Sequence, residues 1–145
     1  MEYLNFLGRI SVCFLLGIVI GFERQCRRRT AGIRTITLVS LGAFLFVSLS
    51  DLTTGNDITR IAAQVVSGFG FLGAGVILRD GTNIKGLNTA ATLWCSASIG
   101  CLTALGLIVE AVVGVIYILL TNVILRFISR KMMEKMPTNR LVRYS

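Results

Sequence analysis

The side chains best placed to do chemistry lie where apolar runs begin and end. Glu23 and Arg24 follow the first run, Arg34 opens the second, and Gln64 lies one turn inside the third. Asn88, Thr89 and Thr92 start the fourth, with Asn88 suited to cap a helix N-terminus. Polar groups inside a bilayer are costly and usually have partners. Glu23, Arg34, Gln64, Asn88 and Thr89 are therefore the candidate cluster of ion pairs and hydrogen bonds. Local capping and interfacial anchoring would account for each of them singly.

Other chemistry lacks its parts. The chain has no histidine, and its four cysteines (Cys13, Cys26, Cys95, Cys101) show no paired short spacing, so a zinc site is not expected. No nucleophile stands beside a base, and general acid–base catalysis is not expected either. No cofactor is expected. Gly68, Gly70 and Gly73 formally spell a dinucleotide fingerprint, yet they lie inside an apolar run, and position 93, twenty residues on, holds a leucine. That motif needs a strand-to-helix turn and an acidic residue there. Gly68, Gly70, Gly73, Ala74 and Gly75 read instead as small residues that let helices pack closely, or unwind locally beside a polar cavity.

These residues need a scaffold, and composition names its solvent. Of 145 residues 54% are hydrophobic and 15% charged, against roughly 25% charged in a soluble domain. A globule this small cannot hide so much apolar surface. A bilayer can. Spans of about twenty apolar residues are needed, and five are expected, near 4–22, 35–52, 61–78, 88–104 and 107–126, with four the main alternative. The stretch 87–125 contains one charge, Glu110, and is too long for a single crossing, so it should fold back near 103–106. The first run lacks a cleavage signal and should remain in the mature chain.

Of the fifteen basic residues, all but Arg9 and Arg60 fall on one side of this arrangement. The positive-inside rule makes that side cytoplasmic and the N-terminus periplasmic. The net charge of +8 is thus aimed at lipid headgroups, through Arg27, Arg28, Arg29, Arg130 and Lys131, and not at nucleic acid. Residues 127–145 form a basic cytoplasmic tail. It starts as an amphipathic helix, with Ile128, Met132 and Met136 on one face and Pro137 as its stop.

The motifs carry a resemblance. GFERQ at 21–25, AGIRT at 31–35, RIAAQVVSGFGFLGAGVI at 60–77 and GLNTAATLWCSA at 86–97 resemble the signatures of the MgtC/SapB family over most of residues 17–100. That resemblance implies a bacterial inner-membrane virulence and stress factor, active in growth at low magnesium and survival in macrophages. It implies a regulator, not an enzyme, whose partner is the membrane sector of the F-type ATP synthase. Many members carry an ACT-like soluble domain after the last span, and this chain stops about where that domain would begin.

The leading expectation is therefore a non-enzymatic regulator that meets another membrane protein through its helices, with a homodimer also compatible with its small-residue faces. A transporter or channel for Mg²⁺ or another ion is the alternative. It would use Gln64, Asn88 and the glycine segment as a polar path, although magnesium sites favour carboxylates and those here are scattered.

Overall fold

The computed structural model describes residues 2–54, 58–80 and 83–135, and side chains over 2–50, 60–77, 84–129 and 131–132. The fold is helical apart from one small hairpin. Its elements are α1 (Glu2–Cys26), α2 (Ile33–Thr54), α3 (Ile58–Val76), β1 (Leu78–Asp80), β2 (Asn83–Lys85), α4 (Leu87–Ala104), α5 (Ile108–Leu120), a π-helical turn (Thr121–Leu125) and α6 (Arg126–Lys135). The hairpin, which composition gave no reason to expect, pairs Leu78 with Lys85, Arg79 with Ile84 and Asp80 with Asn83. The tail helix ends within the described residues at Lys135, and positions 136–145 lie outside them, Met136 and Pro137 included.

Helix ends follow from local chemistry. At the end of α1 the Arg29 N–H donates to the Arg24 carbonyl (3.1 Å) and the Arg28 N–H to Gln25 (2.9 Å). This is a Schellman closure, which normally places glycine in its left-handed position. Here that position is Arg28, at φ 51°. A left-handed L-residue costs about 1–2 kcal/mol. Arg28→Gly should therefore stabilise the protein by about 1 kcal/mol, read as a raised Tm in detergent. An unchanged or lower Tm would show that the strain is absorbed elsewhere.

The same closure recurs after α4. Gly106 N–H donates to Thr103 and Leu107 N–H to Leu102, with Gly106 at φ 78°. The long apolar stretch therefore folds back at 105–107, one to two residues beyond where composition puts the turn. Between α1 and α2 the turn is tied by the Gln25 amide oxygen, which accepts the otherwise orphaned Ile33 N–H (3.2 Å).

α4 is the hub, touching α1, α2, α3 and α5. Its neighbours approach so closely because small residues meet at the contacts. The Gly100 backbone lies against the Ser40 carbonyl of α2, Gly21 against Ile33, and Gly17 against Thr37. Ser40 Oγ donates to the Ser96 carbonyl across the α2–α4 contact (2.9 Å). Thr103, Thr92 and Ser96 return their hydroxyls to carbonyls of α4 itself. Such back-bonding lets a helix rich in Ser and Thr stay dry. The apolar core set around this hub comprises Ile20, Ile36, Leu93, Ile99 and Val115. A second cluster of Cys13, Phe44, Val47 and Ala104 fills the end nearer the α1 N-terminus.

The outer faces reverse the rule for soluble proteins. Phe71 is 85% exposed, Val109 73% and Phe46 63%, large apolar side chains on the outer faces of three different helices, as lipid rewards and water does not. Among the described residues, three helices are long and apolar enough to cross a membrane: Glu2–Cys26, Ile33–Ser50 and Ile108–Ser129. Arg60–Val76 is a shorter apolar helix. α4 is absent from that set for a physical reason: its neighbours are helices, so it carries small residues and hydroxyls where the others carry Leu and Phe.

Candidate functional site

Two arginines of α1 hold the two ends of α4. Arg24 in the last turn of α1 is 2% exposed, and its Nη2 donates to Thr89 Oγ1 in the first turn of α4 (2.7 Å). At the far end, Arg9 Nη1 donates to the Ala104 carbonyl (3.2 Å), packing against the Gly106 turn. Both helices advance fifteen residues between these contacts, roughly 22 Å at 1.5 Å per residue. The two helices run antiparallel like rails, and each arginine is a rung.

The lower rung belongs to a charged cluster. Glu23 Oε1 stands 2.5 Å from Arg27 Nε. The approach is an ion pair of charges without an aligned N–H: among the described residues neither buried Glu23 oxygen accepts a hydrogen bond, and Arg24 Nε likewise has no acceptor. Arg24 also feels the charges of Arg29 and Arg126. Its own position is favourable: a cation in the last turn of a helix faces the negative end of the macrodipole. Asn122, buried in the π-turn, leaves its amide nitrogen without an acceptor among the described residues.

Four of the five candidate residues divide between two places, and Asn88 belongs to neither. Glu23 and Thr89 belong to the cluster at the end of α1. Arg34 and Gln64, both exposed, line a groove of about 810 Å³ between α2 and α3, floored by Ala97 of α4, where Glu23, Asn88 and Thr89 are not lining residues. Asn88 is exposed, and its carbonyl accepts from Thr92 Oγ1 (2.8 Å). The N-cap itself is Gly86 at φ 94°, pressed against the Val76 carbonyl, where no side chain fits.

The small residues of α3 split similarly. A Cβ added at Gly73 would touch Phe69 and Ala90 at ordinary distances, whereas one at Gly68, Gly70 or Gly75 would meet nothing. Ala74 is exposed. Of the basic residues assigned to headgroups, Arg28 is exposed, Arg27 and Arg29 are half-buried, and Lys131 lies 6.0 Å over the Phe127 ring. The Arg130 side chain lies outside the described set.

Arg24 is the residue that composition reasoning undervalued. As one of several arginines at a cytoplasmic edge it read as topology, although its neighbours Gly21 and Glu23 were conspicuous. Chemically the cluster offers fixed positive charge, hydrogen-bond donors, one carboxylate and one hydroxyl. Among the described residues no group of three or more His, Cys, Asp or Glu could hold a metal ion.

Comparison with known proteins places this architecture. The chain is 58% identical to the protein MgtC of Brucella abortus over 118 residues, covering 81% of this chain and 50% of that protein. It is 55% identical to the protein MgtC of Salmonella typhimurium over 122 residues, or 83% and 52% of the two chains. An uncharacterized protein of Synechocystis is 55% identical over 130 residues, 89% of this chain and 56% of that one. The chain thus spans about half the length of the curated relatives it matches. No solved structure matches it. The MgtC family model matches residues 10–131, which include the Arg24–Thr89 rung, the groove and the π-turn. The chain belongs to the MgtC family.

Proposed function

We propose that this chain is a multi-pass inner-membrane regulator, crossing five times with the N-terminus periplasmic and the C-terminus cytoplasmic. Residues 1–126 form its membrane domain. It supports growth at low magnesium and survival in macrophages by binding the membrane sector of the F-type ATP synthase, without catalysing a reaction. One observation carries the helix-contact part of this reading: the groove between α2 and α3. It is walled by apolar side chains, bordered by glycine positions that meet no neighbour among the described residues, and has Arg34, Thr35 and Gln64 as its polar residues. A helix can enter where no Cβ stands in the way, and van der Waals packing together with a polar contact is what drives helix association in lipid.

Photo-crosslinking from native membranes tests this. A photoreactive residue replacing Leu72 or Phe46 on the groove should give adducts with ATP-synthase membrane subunits. The same residue at Phe14 or Leu15, on the exposed face of α1, should give none. No adducts from the groove, together with Mg²⁺ flux into proteoliposomes, would reject the regulator in favour of an ion path.

A further inference from the structure

A second cavity, of about 510 Å³, opens where the end of α1 meets the π-turn and α6. It is lined by Arg27, Val123, Ile124, Arg126 and Phe127. Its walls have two characters: guanidinium groups on one part, and branched and aromatic apolar groups on the other. Behind it stands the cluster described above, where Glu23 brings its carboxylate to a neighbourhood holding Arg24, Arg27, Arg29 and Arg126. Two guanidinium groups that share one cavity with branched and aromatic walls suit a ligand that has an anionic head and an apolar chain.

The geometry points to a bound anionic phospholipid, its phosphate between Arg27 and Arg126 and an acyl chain along Val123, Ile124 and Phe127. Arginine's planar fork suits a phosphate, which it can grip through two N–H groups at once. A free phosphate would satisfy the guanidiniums and leave the apolar wall unused; a neutral lipid would do the reverse. The π-turn contributes by holding an extra residue, so that Arg126 faces the end of α1 and is half-buried there. This assignment rests on the membrane location proposed above and is independent of the partner.

The test uses the full chain in nanodiscs, with Trp94→Phe and Phe127→Trp so that its one tryptophan stands on the cavity wall. Phosphatidylglycerol brominated in its acyl chains is expected to quench this tryptophan at a several-fold lower mole fraction than brominated phosphatidylcholine. Arg27→Gln and Arg126→Gln should each cut the preference about fivefold, the worth of one basic residue near an anionic surface. Lys131→Gln should leave it within about twofold. Equal quenching by the two lipids, or an equal loss from Lys131→Gln, would overturn the site in favour of diffuse surface charge. Relief of quenching by millimolar inorganic phosphate would overturn the lipid in favour of a free anion. Native mass spectrometry of the unmodified chain from mixed nanodiscs needs no tryptophan variant. Retention of one phosphatidylglycerol is expected, and retention of both lipids in proportion to their abundance would refute the site. A chain that stays outside the nanodisc overturns the membrane location as well.

Discussion

Gly100→Leu should abolish the folded protein, and Gly100→Ala should destabilise it by about 3 kcal/mol, at the upper end of the usual overpacking range. A Cβ at this position would run into the Ser40 carbonyl, the Ala43 methyl and the Phe44 nitrogen of α2. Two of those three atoms are backbone, so no rotamer change relieves the collision. The helices must separate, which loosens the Ser40–Ser96 hydrogen bond and the core around Ile99 and Phe44. Gly68→Ala is the matched control: its added methyl meets nothing and should alter stability by less than about 0.5 kcal/mol. Thermal unfolding in detergent, followed by circular dichroism, measures both. A Gly100→Ala protein as stable as Gly68→Ala would mean that α2 and α4 do not pack as described.

The second large effect belongs to Arg24. Removing one member of a buried polar set leaves the rest uncompensated, typically at 3–5 kcal/mol. Arg24→Ala should therefore cost about 3 kcal/mol, because Thr89 Oγ1 loses its donor and Glu23 loses a neighbouring cation. Thr89→Val should cost about 1–2 kcal/mol, since it strands a charged donor. The double variant should fall short of the sum by about 1.5–3 kcal/mol, the worth of a hydrogen bond to a charged group. Arg24→Lys should not restore stability, because a single ammonium replaces the fork that reaches Thr89. Strict additivity in this cycle would show that the two side chains do not interact.

Arg24 also marks where reading from residues stops. Apolar runs, basic flanks and the turn near Gly106 were legible because each depends on local composition. Which face of a helix meets protein and which meets lipid was not, because both surroundings reward apolar side chains. The run of small residues in α3 signalled close packing, yet Gly68, Gly70 and Gly75 meet no neighbour among the described residues, while Gly17, Gly21 and Gly100 make tight contacts. Single glycines in unremarkable surroundings carry no such signal. Arg34 was grouped with Glu23 and Asn88 by depth along the bundle axis, and Gln64 was added as a polar residue inside a span. Depth says nothing about position around that axis, and the groove holds Arg34 and Gln64 apart from the cluster.

The π-turn at Thr121–Leu125 sets the angular phase of everything after it. Each residue of an ordinary α-helix advances about 100° around the axis, so losing one from α5 or α6 would swing all later side chains to a different face. Inside the π-turn the surplus residue is already absorbed in a widened loop of backbone. Excising one there would yield a regular helix whose two halves keep their facings. A one-residue deletion in this last rod therefore preserves the later facings in one short window and rotates them on either side of it.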